Sequence, residues 1–140
     1  QAHIVNLSSI FGIIAPPGQT AYCAAKFGLR GFSESLRHEL GETNIGVTVV
    51  HPGGIRTSIA LSARIPAGVN STELEEQMKK FDAFLTTDPA VAARIILDGV
   101  DRRAPRVLIG ADARRGDILQ RLMPGTYWKI MKRGIERAMK

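Results

Sequence analysis

The chain has 140 residues, 44% of them hydrophobic, which is enough for one domain with a core of its own. A single cysteine excludes an internal disulfide framework, and the absence of any run of about 18 apolar residues excludes a membrane-spanning helix. The net charge is +6, and much of the positive excess lies in the last forty residues.

The first half of the chain predicts a strand, a helix and a second strand. Residues 3–8 are typical of a short buried strand, and the apolar loop of residues 9–19 is expected to line a pocket. Thr20 is the expected N-cap of a long helix that ends near residue 43. Residues 46–51 predict the second strand, which ends at a proline and two glycines.

The second half predicts further helices and a third strand. A capping box predicts a helix over residues 72–85. Asp88, followed by a proline, begins another helix that runs to about residue 98, and residues 106–110 form a strand. Strands separated by helices need crossover connections, so the fold class is α/β with a parallel sheet.

Tyr22, Lys26 and Ser9 are the candidate catalytic residues. A tyrosine and a lysine four residues apart lie on the same face of a helix. A nearby ammonium favours the phenolate form of a tyrosine, and the Ser9 hydroxyl can donate a hydrogen bond to a reacting oxygen. The three side chains predict a proton-transfer site for an alcohol or a carbonyl.

The segment at residues 52–57, Pro-Gly-Gly-Ile-Arg-Thr, follows the end of the second strand. Open α/β sheets bind ligands at the carboxyl ends of their strands, and glycines let the backbone approach a flat ring closely. Taken alone, the segment is equally compatible with a plain strand-to-loop turn.

These motifs together resemble the short-chain dehydrogenase/reductase family. The resemblance covers roughly residues 3–111 and rests on the spacing of thirteen residues between Ser9 and Tyr22 together with four segments. The segments are Asn-Leu-Ser-Ser-Ile-Phe-Gly at 6–12, Pro-Gly at 17–18, Tyr-x-x-x-Lys at 22–26 and His-Pro-Gly-Gly-Ile-Arg-Thr at 51–57.

The resemblance implies a fold and a domain organisation. Residues 1–111 would form the C-terminal, catalytic half of a doubly wound parallel-sheet (Rossmann-type) domain, and residues 112–140 a basic helical extension. The glycine-rich turn that begins the family's cofactor-binding half has no counterpart here. The chain is therefore expected to be a fragment of a longer enzyme, with little activity alone; a short protein that kept only this half is the alternative.

The resemblance also assigns roles to individual residues. Tyr22 would act as general acid and base, Lys26 would bind the nicotinamide ribose, and Ser9 would orient the substrate oxygen. Ser8 is a rival for the last role, but the spacing selects Ser9, and Ser8 is assigned to backbone hydrogen bonds. The expected cofactor-binding residues are Tyr22, Lys26, Pro52, Gly53, Ile55 and Thr57.

The expected reaction is hydride transfer between NAD or NADP and a secondary alcohol or ketone. The apolar loop at residues 10–17 and the stretch at 58–84 suggest an apolar substrate. The residues that select NAD or NADP would lie upstream of this chain. His38 and His51 have no metal-ligand spacing, and no nucleic-acid motif is present. A non-catalytic binding module on the same fold is the alternative function.

Residues 127–140 predict a basic amphipathic helix. It could dock on its own domain, cover a subunit interface or the substrate pocket, or lie on an anionic membrane surface with Trp128 at the interface. The resemblance further implies a homo-oligomer, because the family's long helix with the tyrosine often lies in a dimer interface. The expected location is cytoplasmic, with peripheral membrane contact as the alternative.

Overall fold

The computed structural model describes residues 2–58 and 82–138. Most of the predicted helix at 72–85 and most of the predicted pocket segment at 58–84 lie outside these residues. A short 3-10 turn, Ile10–Gly12, follows the first strand. The strands and helices are β1 (Ala2–Leu7), α1 (Thr20–Glu39), β2 (Ile45–Pro52), α2 (Pro89–Asp101), β3 (Arg106–Ile109), α3 (Ala111–Leu122) and α4 (Tyr127–Ala138).

The three strands form a parallel sheet in the order β1-β2-β3, which confirms the predicted α/β class. Val50 of β2 lies opposite Leu7 of β1 and Val107 of β3, so all three strands end at the same edge of the sheet. In the described part of the chain, β1 pairs only with β2, and its outer edge has no partner strand.

The two faces of the sheet carry different side chains. Side chains alternate along a strand, so every second residue points to the same face. One face packs against α2 through a core centred on Val50, Ala92, Val107 and Ile109. The other face lies against α1, where the Asn6 amide donates a 2.9 Å hydrogen bond to a hydroxyl of that helix. The chemistry predicted from the sequence lies on the α1 side.

Of the two residues predicted to cap the N-termini of helices, one is confirmed and the other is wrong. The Asp88 carboxylate accepts a 2.8 Å hydrogen bond from the amide of Ala90, so it caps α2 as predicted. Thr20 was expected to cap α1, but the helix begins at Thr20 itself and Gln19 occupies the cap position without a side-chain hydrogen bond. A side-chain cap is favourable but dispensable, since water can satisfy exposed amides at a helix start.

The end of α1 and the burial of β1 also differ from the predictions. The helix stops at Glu39 rather than near residue 43, because a turn forms in which the Thr43 hydroxyl and amide both donate to the Leu40 carbonyl oxygen. The first strand was expected to be buried, but its residues are half-buried and Leu7 is exposed, since an edge strand is covered on fewer sides. No helix in residues 2–58 or 82–138 has the length and hydropathy needed to cross a bilayer.

Candidate active site

Ser9 lies immediately beyond the end of β1 and begins the 3-10 turn. Its hydroxyl oxygen accepts a 3.1 Å hydrogen bond from the Phe11 amide, and its backbone is extended. A hydroxyl has one donor and two acceptor positions, so the Ser9 proton stays available to another oxygen. The residue is only 9% exposed, so it can offer that proton only toward the adjoining site and not toward bulk water.

Tyr22 and Lys26 lie one turn apart near the start of α1. The Lys26 Nζ atom lies 5.5 Å from the centroid of the Tyr22 ring and donates a 2.9 Å hydrogen bond to the Leu7 carbonyl oxygen at the end of β1. An ammonium has three donors, so this bond fixes the lysine head without using all of them. Tyr22 is 41% exposed, which leaves its hydroxyl accessible to a ligand.

Phe11 connects the serine to the tyrosine, a role that was not predicted from the sequence. Its amide donates to Ser9, and its ring packs edge-to-face on the Tyr22 ring, with centroids 6.1 Å apart and planes at 88°. Edge-to-face contact is a preferred aromatic geometry. One residue thereby fixes the serine hydroxyl and the tyrosine ring relative to each other.

Ser8 has the backbone role predicted for it. Its hydroxyl donates a 2.9 Å hydrogen bond to the carbonyl oxygen of Lys26, and its amide donates to Val50 at 2.8 Å. Gly12 lies beside the same carbonyl, 2.8 Å from where a Cβ atom would be. The turn that carries Ser9 is therefore in close contact with the helix that carries the tyrosine and the lysine.

The turn that follows β2 is held by backbone bonds and by one carboxylate. Gly53 donates its amide to the Ile109 carbonyl at 2.9 Å, and the Gly54 amide donates to the Asp112 carboxylate at 2.7 Å. A Cβ atom on Gly53 would collide with the same carboxylate, so the close approach requires glycine. Asp112 was not predicted from the sequence, although an acidic residue in the first turn of a helix is a recognisable signal.

The structure brings the predicted site residues together in two groups. Ser9, Tyr22 and Lys26 form one, linked through Phe11 and the end of β1. The second group, Pro52, Gly53, Ile55 and Thr57, follows the neighbouring strand end. Within the described residues no side-chain hydrogen bond joins the groups, and Thr57 is exposed. They share the edge where parallel strands end, the usual ligand position in such sheets.

The last two helices support the loop after Ser9. Gly116 of α3 lets Ile10 approach, since a Cβ atom there would lie 3.1 Å from the isoleucine Cδ1. The Tyr127 hydroxyl of α4 accepts a 2.9 Å hydrogen bond from the Ala15 amide, 112 residues earlier in the chain. The two contacts hold the loop after Ser9 against the last two helices at Ile10 and at Ala15.

Two comparisons with known sequences agree with this geometry. The family model described as short chain dehydrogenase matches residues 1–67. SadH of Mycobacterium tuberculosis, whose name describes it provisionally as an oxidoreductase, is 42% identical over 138 residues, which cover 96% of this chain and 49% of SadH. The chain resembles part of a short-chain dehydrogenase over almost its whole length.

Solved structures of the family share the fold. A short-chain dehydrogenase from Streptomyces avermitilis is similar with a TM-score of 0.66 and 28% identity over 94% of this chain and 52% of its own. A member from Burkholderia phymatum, in complex with NAD, has a TM-score of 0.70 at 22% identity, over 85% of this chain and 46% of its own. The chain spans about half the length of the relatives it matches.

A nicotinamide cofactor fits the hydrogen-bond donors that the chain presents at the strand ends. The Lys26 ammonium has hydrogens beyond the one bonded to Leu7, as a ribose hydroxyl needs. The Ile55 amide has no acceptor among residues 2–58 and 82–138, whereas the amide of Arg56 is bonded to Thr87. The Thr57 hydroxyl is exposed close to that amide in the chain. An amide donor beside a hydroxyl suits a carboxamide.

Cys23, next to the candidate catalytic tyrosine, is a packing residue. It is buried, and burial raises the pKa of its thiol. Because the thiolate is the reactive form, we expect Cys23 to react with a disulfide reagent at least about tenfold more slowly in the native chain than in urea. The chain has one cysteine, so the amount of thiolate that the reagent releases measures the reaction of Cys23 alone. Equal rates in the two conditions would show that the thiol is accessible.

The two histidines named in the sequence analysis have different environments. His38 is exposed, whereas His51 is fully buried at the end of β2. Burial, followed by the nearby guanidinium groups of Arg106 and Arg30, holds the pKa of His51 below its usual value, although Asp117 and a hydrogen bond to Ser9 oppose this. No group of side chains suited to a metal is found in the described residues.

The buried imidazole makes stability depend on pH. Below about pH 6.5, His51 is protonated in the unfolded chain but stays neutral to lower pH in the folded chain, because its pKa is lower there. The unfolded chain then binds more protons, so the free energy of unfolding should fall as the pH drops from about 7 to about 5. The variant His51→Asn should flatten this slope, because His3 and His38 are retained in both proteins. Urea unfolding at a series of pH values measures it, and an unchanged slope in the variant would contradict the assignment.

Proposed function

We propose that the polypeptide containing this chain is an NAD(P)-dependent oxidoreductase that interconverts a secondary alcohol and a ketone. The proposal rests most on Lys26, whose ammonium is bonded to the end of β1 and lies 5.5 Å from the Tyr22 ring. A solvated surface lysine would need neither contact. Because the chain spans about half of its relatives, the activity is assigned to the full polypeptide and should be low for the 140 residues alone.

In the reductive direction, the chain supplies a proton and holds the substrate oxygen. The Ser9 hydroxyl donates a hydrogen bond to the carbonyl oxygen and orients it toward Tyr22. The reduced nicotinamide, when bound, supplies a hydride to the carbonyl carbon. The Tyr22 hydroxyl gives its proton to the oxygen, and the Lys26 ammonium stabilises the remaining phenolate. In the oxidative direction the phenolate takes the proton of the alcohol.

The proposal includes either NAD or NADP as the cofactor and names a class of substrate, not one compound. Solved structures with this fold occur in complex with NAD and with NADP, so both dinucleotides are candidates. Tyr22, Lys26, Pro52, Gly53, Ile55 and Thr57 would form the nicotinamide side of the site. The loop at residues 10–17 is apolar in sequence, which favours an apolar substrate.

The full polypeptide tests this proposal directly. It is mixed with NADH or NADPH and, in turn, a steroid ketone, a long-chain methyl ketone and a short polar ketone. We expect loss of the reduced nicotinamide absorbance with one alcohol formed per cofactor oxidised, and a preference for the apolar ketones. Cofactor binding without turnover of any ketone would instead support a non-catalytic module on the same fold.

Two observations favour additional contacts of the full polypeptide. Phe32 of α1 is 58% exposed and Phe27 of the same helix is also exposed, which supports a homo-oligomer formed through α1.

On α4, Ile130 is exposed beside the exposed cations Lys129 and Arg133. We propose peripheral contact with an anionic membrane through α4 as the second candidate function.

The single tryptophan of the chain, Trp128, lies on α4 and reports on membrane contact. With vesicles of phosphatidylglycerol we expect a blue shift of its emission that weakens as salt is added, and no shift with phosphatidylcholine alone. The variant Ile130→Ser should lose the shift, whereas Leu97→Ser, which removes an exposed leucine of α2, should keep it. Equal behaviour of the two variants would argue against α4.

A further inference from the structure

His51 occupies an unusual position for a polar side chain. It is 0% exposed, and its Nδ1 atom lies 2.9 Å from the carbonyl oxygen of Ser9, 42 residues earlier in the chain. It precedes the turn at residues 52–54, so it joins the strand end before the candidate nicotinamide turn to the candidate substrate-orienting serine. This side-chain hydrogen bond joins the two strand ends at the site, beside the backbone bond from the Ser8 amide to the Val50 carbonyl oxygen.

The chemistry of the contact fixes the protonation of the ring. A carbonyl oxygen can only accept, so the Nδ1 atom must carry the proton and donate it. In the neutral ring the Nε2 atom is then an acceptor, and it has no hydrogen-bond donor among the described residues. A positive ring would leave a buried N–H at that position without an acceptor, which is unfavourable. The charged groups around the ring are Arg30 of α1, Arg106 of β3 and Asp117 of α3.

The Ser9 residue is thereby held from two directions. The imidazole of His51 holds its carbonyl, and the Phe11 amide holds its hydroxyl oxygen. The backbone of Ser9, with φ −164° and ψ 167°, is extended, and its carbonyl oxygen also accepts a 2.9 Å hydrogen bond from the Gly12 amide, which closes the 3-10 turn. Without the imidazole, the carbonyl oxygen would keep the Gly12 amide but lose its donor on β2, so the peptide plane could tilt and the hydroxyl would change direction with it.

We propose that His51 is a positioning residue, which acts through the Ser9 carbonyl to aim the Ser9 hydroxyl at the substrate oxygen. This inference rests on the proposed oxidoreductase function, and it adds a residue that contacts neither substrate nor cofactor. A displacement of about 1 Å at a reacting group can lower a rate by about 100-fold. The hydrogen bond is therefore expected to affect kcat more than the KM for the cofactor.

Two substitutions separate positioning from packing. His51→Leu fills a similar volume but removes the donor, whereas His51→Asn is smaller but keeps an amide donor close to the place of Nδ1. In the full polypeptide, we expect His51→Leu to lower kcat between about 10-fold and about 100-fold, with the cofactor KM nearly unchanged, and His51→Asn to restore most of that loss. A packing role predicts the opposite order, since the asparagine leaves the larger cavity.

The tautomer gives a readout that does not depend on turnover. Nitrogen-15 NMR of the histidine rings should show His51 as the neutral Nδ1–H form, with the exposed His38 as the internal comparison. An Nε2–H or doubly protonated ring at neutral pH would overturn the proposal at once. A normal kcat for His51→Leu in an active enzyme would overturn the positioning role alone. If the wild-type polypeptide turned over no ketone and the Tyr22→Phe variant behaved in the same way, the proposed function would be wrong. The positioning role would then be wrong as well, whichever tautomer His51 adopts.

Discussion

Replacing Tyr22 with phenylalanine in the full polypeptide is expected to lower kcat/KM by on the order of 10²- to 10⁴-fold, the usual contribution of a positioned proton donor. Phenylalanine keeps the ring that packs edge-to-face on Phe11 and that lies 5.5 Å from the Lys26 ammonium. The hydroxyl has no hydrogen-bond partner within residues 2–58 and 82–138, so its removal should leave stability almost unchanged. Steady-state kinetics and urea unfolding measure the two effects.

The second tyrosine provides the matched control. Tyr127→Phe removes a hydroxyl that accepts a hydrogen bond from Ala15, so it perturbs the loop but not the proton donor. We expect a loss of activity below about tenfold, with a small loss of stability from one hydrogen bond. Similar activity losses for the two variants, or a Tyr22→Phe enzyme with near-normal turnover, would remove Tyr22 from the chemistry.

Substitution of Gly12 by alanine is expected to give a large loss of stability at the site. The added Cβ would lie 2.8 Å from the Lys26 carbonyl oxygen and would collide with the Ser8 hydroxyl, which is bonded to the same oxygen. The turn must move away from α1 or Ser8 must give up its bond. We expect the free energy of unfolding to fall by about 2 kcal/mol or more. Activity should also fall, because Ser9 belongs to the same turn.

Gly125 is a suitable control for this change. It also lies outside a helix or strand, but no heavy atom lies within 4 Å of where its Cβ would be, and its backbone does not have a positive φ. Gly125→Ala should therefore be neutral or stabilising by up to about 1 kcal/mol. Urea unfolding of both variants gives the comparison. A Gly12→Ala protein as stable as Gly125→Ala would mean that the turn and α1 do not approach each other as described.

The parts of the fold that could be predicted are those set by local sequence. The alternation of hydrophobic segments and helices was sufficient for a parallel sheet, and Asp88 before a proline was sufficient for the start of α2. Thr20 failed as a cap because helix boundaries shift by a residue with the local backbone angles, and Thr20 itself adopts the first helical position. The exposure of Leu7 depends on what covers the strand edge, which no local pattern records.

In the candidate site, too, the features set by local sequence could be predicted and the contacts between distant segments could not. The spacing of Tyr22 and Lys26 is a property of one helix, so their proximity follows from the sequence. The partners Phe11, His51 and Asp112 could not be predicted, since each acts through a backbone amide or carbonyl that carries no residue identity. Such contacts depend on the arrangement of elements far apart in the chain, which becomes visible only in three dimensions.

The bond between Tyr127 and Ala15 has a consequence for biosynthesis. It joins residues 112 positions apart, and the carboxylate of Asp112 holds a turn 58 positions before it. Contacts of such high sequence separation form late, because the intervening chain must be ordered first. During translation from the N-terminus, Ser9, Tyr22 and Lys26 leave the ribosome long before the helices that support their loops. The loops around the site can therefore reach their final arrangement only after the last helix has been synthesised.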